Sequence, residues 1–185
     1  MKYFLCLVVF MCSVAQAEGL DLADSGIKVN VLWPIYPGNR YRVAWRYSLH
    51  SNDRYRTELS LGLGYTGEED RKTEGKFSEA HMILGVRQYF ASPFHGELNV
   101  NPGQSRLKNH VKTKNDYTST DLEVQAFLGY EWRLSKSFTL DLQAGAVQVL
   151  SKSNDWPVYE NDDLAKVREE EPIVPVGVIN ITYWF

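Results

Sequence analysis

Four histidines, His50, His81, His95 and His110, are the residues with the broadest chemical options in this chain. A histidine beside a serine and a carboxylate can support nucleophilic catalysis. No His-x-Ser element accompanies them. His50 and His95 are predicted to lie in short turns, whereas His81 is predicted to be an interior hydrogen-bonded residue. No metal-ligand spacing and no phosphate-binding glycine loop is evident. We therefore predict no catalytic, cofactor or metal site.

Charged residues form a second group, because they recur at alternate positions within otherwise apolar stretches and so share one face of each predicted strand. The predicted inward set is Lys28, Arg42, Arg46, Glu58, Arg87, Glu123, Glu131, Arg133 and Asp141. Unpaired charges in a water-poor interior are costly, so we expect ion pairs. We predict a structural polar network with an Arg46–Glu58 pair, and Arg42 reaching an acid further along. The alternative is a narrow, gated ion path.

A basic stripe follows one segment, where Arg106, Lys108, His110, Lys112 and Lys114 alternate. These side chains are expected on one strand face, pointing either inward towards acids or outward towards lipid phosphates. We favour a solvated or internally paired stripe.

The segment Ser151–Pro172 is strongly acidic, with seven acids against three bases. Clustered carboxylates can hold Ca²⁺ or Mg²⁺, but the spacing does not match an EF-hand loop. We predict a solvated loop, in which Trp156 and Tyr159 are the candidate surface contacts.

Period-two alternation along the chain predicts the elements that position these residues. It indicates eight strands, at about Ile27–Trp33, Tyr41–Leu49, Tyr55–Thr66, Glu79–Phe90, Leu98–Val111, Leu122–Leu134, Phe138–Ala146 and Ile173–Phe185. The fifth strand changes parity near Pro102-Gly103. Either a bulge restores its register there, or the strand starts only near Gln104.

The first 17 residues have the layout of a secretory signal peptide: a positive start at Lys2, an apolar run and an Ala-x-Ala site ending at Ala17. Cleavage would leave residues 18–185 as one barrel domain and would remove both cysteines, Cys6 and Cys12. Loss of Lys2 leaves 19 bases against 23 acids, a net charge of −4 that gives no case for nucleic-acid binding.

Alternation alone also fits a lipocalin-like soluble barrel. A membrane barrel is favoured by the even strand count, by connections that alternate between short and long, and by aromatic residues at the ends of strands. The exception is the short Pro34–Arg40 connection. The last strand also places Ile181, Tyr183 and Phe185 at alternate positions up to the final residue.

This ending resembles the C-terminal assembly signal of bacterial outer-membrane proteins. With the signal peptide and eight strands, the chain resembles the small barrels related to OmpX and the OmpA transmembrane domain. The resemblance implies an all-β, eight-stranded antiparallel up-and-down transmembrane β-barrel in the cell outer membrane. It implies lipid, lipopolysaccharide and the assembly machinery as partners of a monomer. The short first loop argues against an adhesin.

The function predicted from the sequence is a non-catalytic structural or surface-interaction role. The alternatives are a narrow pore or solute-binding barrel and, third, a lipid-modifying enzyme.

Overall fold

A computed structural model describes residues 25–32, 40–52, 55–71, 75–91, 93–153 and 173–185. Eight strands form a closed barrel in which each strand pairs antiparallel with its neighbour in chain order and β8 pairs with β1. They are β1 Ser25–Asn30, β2 Arg40–Asn52, β3 Tyr55–Arg71, β4 Gly75–Ala91, β5 Phe94–Lys108, β6 Tyr117–Arg133, β7 Phe138–Lys152 and β8 Val174–Trp184. The predicted all-β, up-and-down architecture is confirmed. Within the described ranges, no helix is long and apolar enough to cross a membrane.

The alternating sequence gives the barrel two faces of opposite character, as β2 illustrates. Arg42 and Arg46 are buried inside, whereas Tyr41, Val43 and Trp45 are about half exposed on the outside. A soluble barrel places its apolar residues inside and its polar residues outside. This barrel has the reverse arrangement.

The stagger of the strands follows from their register. The backbone N–H of Phe185 donates to the carbonyl of Ser25 at 3.0 Å, which closes the seam between β8 and β1. The register can also be followed from β1 through β2 to β7 and on to β8, taking the directly paired residue on each next strand. This path starts at Ser25 and ends at Pro175 on β8, by way of Tyr47, Leu59, Val86, Leu98, Ala126 and Ala146. The shear is therefore 185 − 175 = 10 residues. Eight strands with this shear tilt by about 41° and rise about 2.5 Å per residue along the axis.

The two ends of the barrel differ. The proximal end holds Ser25, Phe185 and the short β2–β3, β4–β5 and β6–β7 turns, and the distal end is the opposite one. Outward apolar side chains extend from the proximal rim over about eleven residue levels, or ~27 Å. A tilted membrane strand needs only ~10 residues. Because β3, β4 and β6 have 17 residues each, they continue past the apolar band at the distal end.

Several predicted boundaries are wrong, and the distal extension accounts for those of β3 and β4. β3 continues to Arg71 and β4 starts at Gly75, so most of the predicted Gly67–Ser78 loop is strand. β1 ends at Asn30 instead of Trp33, and Trp33 lies outside the described residues.

β5 contains no compensating bulge, and it starts at Phe94, so both predictions for it are wrong. Its odd-numbered residues from His95 to Leu107 face inward, with Gly103 only partly covered. Leu107 faces inward, where it forms an apolar cluster with Phe77 on β4 and Tyr117 on β6 beyond the distal limit of the outward apolar band. The β4–β5 register pairs skip the position of Pro102, which has no N–H to donate.

Candidate functional site

The proximal half of the barrel interior is filled by charged side chains. Among the described residues, the buried ionisable side chains other than histidine are five bases and five acids: Lys28, Arg42, Arg46, Arg56 and Arg87, with Glu58, Glu97, Glu123, Glu131 and Asp141. The two signs balance when all ten are ionised. A neutral total is what a low-dielectric interior requires, because a surplus charge there is strongly destabilising.

Arg46 on β2 is one centre of this network and is fully buried. It pairs in register with Ser60, but its long side chain reaches diagonally to Glu58. Its Nε donates to Glu58 Oε2 at 2.8 Å, and its Nη2 forms a second bond to the same oxygen. Its Nη1 donates to Glu131 at 2.7 Å and to Thr182 at 2.8 Å. Arg46 therefore ties β2 to β3, β6 and β8.

Arg87 on β4 is the second centre. Its Nε donates to Glu97 Oε2 at 2.8 Å, and its Nη2 donates to Asp141 Oδ2 at 2.6 Å. Its Nη1 donates to Glu131 Oε2 at 2.9 Å, the same oxygen that Arg46 contacts. Glu131 therefore links the two arginine centres, and the Tyr89 hydroxyl donates to its other oxygen at 2.9 Å. Such forked, charge-assisted bonds fix geometry as well as charge.

His95, Glu97 and Asp141 form the one group in the described residues with ligand atoms close enough to hold a metal ion, within 4.8 Å of one another. His95 is buried in β5 and its Nε2 lies 3.3 Å from Asp141, so its predicted place in a turn is wrong. Both carboxylates already accept bonds from Arg87, and Lys28 donates to Glu97 at 2.7 Å. Two adjacent cations disfavour a third, so this group fits an ion-pair network better than a metal centre.

Trp184 closes the proximal end of the lumen and is only 1% exposed. Two guanidinium groups lie over its ring: the Cζ atoms of Arg46 and Arg56 are 4.6 Å and 4.5 Å from the ring centroid. Its Nε1 donates to Thr139 at 3.2 Å. Stacking of a guanidinium on an aromatic face is favourable when the pair is desolvated. The indole thus seals the lumen below the two arginine centres.

The middle of the barrel combines a chain of polar side chains with a buried apolar pair, Phe127 and Val178. Arg42 donates to Gln125 at 2.7 Å, and Gln125 donates to Glu123 at 2.6 Å. Arg42 thus reaches an acid higher in the barrel by way of an amide. A cavity of about 20 Å³ lies beside Lys28, Arg42 and Asn180. It has room for roughly one water molecule.

The structure brings together the predicted inward residues Lys28, Arg42, Arg46, Glu58, Arg87, Glu123, Glu131 and Asp141. Arg133 is exposed near the proximal rim, so its predicted inward position is wrong. Ile181, Tyr183 and Phe185 lie on the outer face. Trp156 and Tyr159 lie outside the described residues.

The basic stripe does not share one face. Arg106 points outward and is exposed, so an inward path to Glu123 or Glu131 is wrong for it. His110 is buried after the strand ends, with its ring edge-on to Tyr117. Lys112 and Lys114 are exposed in the β5–β6 loop. The alternation ends with the strand at Lys108.

Four interior residues were missed from the sequence: Arg56, Tyr89, His95 and Glu97. For two of them the sequence contains a pattern that predicts an inward position, since His95 and Glu97 are followed at alternate positions by the polar residues Asn99 and Asn101. This pattern was not recognised, because the apolar Leu107 has the same parity and suggested that this face was the outward one. Arg56 falls within the predicted third strand, at the same parity as Glu58, but was not included in the predicted inward set; it is buried in β3.

Comparison with known protein families, with curated proteins and with solved structures finds no match to this chain. The character of the site therefore has to be inferred from its own residues. It is a closed, charge-balanced polar interior inside an apolar outer face.

Proposed function

We propose that this chain is a small, non-catalytic outer-membrane β-barrel protein with a structural or surface-interaction role. In this proposal residues 1–17 are a signal peptide, residues 18–185 form the mature barrel, and the proximal end faces the periplasm.

One observation carries the proposal: the apolar face of the barrel points outward. Leu61 and Leu128 are 56% and 57% exposed, and the register places them at the same height near the middle of the apolar band. An apolar belt of this size would drive association in water. Hydrocarbon would solvate it without cost, and closure of the sheet satisfies the backbone polar groups that lipid cannot.

The rims of the band support the same reading. Tyr47, Trp132, Phe138 and Tyr183 point outward near the proximal rim, and Tyr41 and Tyr65 point outward near the distal limit of the band. Tyrosine and tryptophan favour the headgroup region, where the ring is apolar and the polar atom stays hydrated.

The proposed partners are outer-membrane lipid, lipopolysaccharide and the assembly machinery that inserts barrels. The outward face of β8 offers that machinery Ile181, Tyr183 and Phe185 as an apolar strip. Because the described strands form a closed sheet, each of them has a neighbouring strand on both sides, and closure of this kind removes the edges through which barrels could pair with another copy. This supports a monomer.

A second candidate is a narrow pore or solute-binding barrel, favoured by the polar cavity beside Lys28 and Arg42. Trp184 and the arginine centres occupy the lumen below it. A pore would require these groups to move. Single-channel recording in a planar bilayer separates the candidates, because steady conductance is expected only of a pore.

Cell fractionation tests the main proposal. We expect the full chain, expressed in a Gram-negative host, to enter the outer-membrane fraction with Glu18 as its new first residue. Unboiled protein should migrate differently from boiled protein in a gel, as folded membrane barrels do. A variant lacking residues 2–17 is the control and should remain in the cytoplasm. Recovery of the parent chain as a soluble periplasmic protein would refute the proposal.

A further inference from the structure

An open groove of about 530 Å³ runs along the outer face of β3, β4 and β5. Its outward-facing lining residues are Leu63, Tyr65, Ala80, Met82, Pro102 and Gln104. Ala80 is the smallest of these side chains. It lies directly between Tyr65 and Gln104 in the register, so a shallow channel opens between larger neighbours.

The register sets the height of the groove. Tyr65 marks the distal limit of the apolar band, and Leu63 and Met82 are register partners just below it. Gln104 is the polar residue at the upper end. In the membrane orientation proposed above, the groove therefore lies in the outer leaflet, at the depth of the first acyl carbons.

Cations lie immediately above the groove on the same two strands. Arg106 follows Gln104 by two residues on the outward face of β5, and Lys108 follows Arg106 by two more. Lys108 has Lys76 as its register partner on β4. Two residues along a strand are about 6.6 Å. The three side chains thus stand one or two pleats beyond the groove, at headgroup level.

These three cations have acidic neighbours, but only in exposed pairs. Lys76 and Lys108 lie 3.0 Å and 3.7 Å from Glu68, and Arg106 lies 3.4 Å from Asp116. The hydrogen bond from Lys76 holds the pKa of the Glu68 carboxyl below its usual value, so Glu68 is ionised. Exposed pairs contribute little to stability. A phosphate can therefore take the place of either acid.

We propose that the groove and the three cations together bind one molecule of lipid A, the phosphorylated, multiply acylated anchor of lipopolysaccharide. An acyl chain lies along Ala80 between Tyr65 and Met82, and a phosphate meets Arg106 and Lys108. Complementarity of charge and depth supports this occupant, because a zwitterionic phospholipid has no net charge to offer the cations. This inference rests on the proposed outer-membrane function.

The test uses the full mature barrel in detergent and measures retention of diphosphorylated lipid A by native mass spectrometry. The parent should retain one molecule, more tightly than phosphatidylglycerol or phosphatidylethanolamine. Replacing both Arg106 and Lys108 with glutamine should weaken retention on the order of 10-fold or more, since each cation near an anionic surface contributes several-fold. Lys136→Gln, at the proximal β6–β7 turn, is the matched control and should have no effect.

Two further variants separate the groove from the charges. Ala80→Phe fills the groove from outside and should weaken retention, whereas Ala144→Phe on the outward face of β7 should not. Glu68→Gln removes the competing acid and should strengthen retention. Equal binding of phosphatidylglycerol, or indifference to either Ala80→Phe or the charge variant, would overturn the inference.

Heat-modifiable migration of every variant is measured in parallel. A parent that folds into the membrane but retains no lipid A contradicts only this inference. A parent that does not insert at all contradicts the proposed function as well.

Discussion

Glu58→Gln tests whether the interior charges stabilise the barrel as pairs. The Glu58 side chain is fully buried, accepts two bonds from Arg46 and has Arg56 Nε 2.6 Å from its second oxygen. Glutamine keeps the shape but removes the charge, which leaves five buried cations against four anions. An uncompensated buried charge costs about 3–5 kcal/mol. We expect the free energy of unfolding to fall by that amount.

Glu68→Gln is the matched control, because Glu68 is on the same strand and contacts Lys76 and Lys108 at the exposed surface. Its loss should cost about 0–1 kcal/mol. The assay is urea unfolding in phospholipid vesicles, followed by the loss of heat-modifiable migration.

Arg46→Gln completes a double-mutant cycle. Since Arg46 and Glu58 share their contact, the double variant should cost less than the sum of the two single variants. The reasoning fails if Glu58→Gln is no worse than the control and the coupling is zero. That result would indicate a hydrated lumen and would favour the pore.

Three further predictions use the same unfolding assay. Leu61→Arg and Leu128→Arg should each cost about 2–4 kcal/mol, as charges do at a barrel midplane; parental stability would show that these residues do not face hydrocarbon. Gly145→Ala should cost about 1–3 kcal/mol by overpacking, because the added methyl group would overlap a neighbouring backbone carbonyl. Gly177→Ala is its control and should be close to neutral, because a methyl group added there would have no heavy atom within 4 Å. Trp184→Ala should cost about 3–5 kcal/mol, and a loss below about 1 kcal/mol would show that the stacked indole is not what closes the proximal end.

The number of strands, their order and the facing of most of them could be predicted from the sequence. In β2, for example, every second residue is apolar, and a one-residue slip would exchange the two faces completely. The Arg46–Glu58 contact could be predicted for the same reason. Antiparallel neighbours joined by a short turn have few possible registers.

Several of the differences between the predicted and the observed strands have one cause, which is that strands β3 to β6 continue beyond the apolar band. In that region the outward face is no longer uniformly apolar, and the inward face can be apolar. Leu107 therefore looked like a change of parity, and His95 and Glu97 were left out of the network. Contacts across the lumen, such as Lys28 with Glu97, depend on barrel closure and have no local signal in the sequence.

The network that joins Arg46 and Arg87 draws side chains from all eight strands, from Lys28 on β1 to Thr182 on β8. This restricts which substitutions the interior positions can accept during evolution. A lineage that loses one of these charges carries a destabilised barrel until a second substitution, usually on another strand, restores the balance. We therefore expect relatives of this protein to exchange interior charges in pairs across the lumen, while the outward apolar positions vary among residues of similar hydrophobicity.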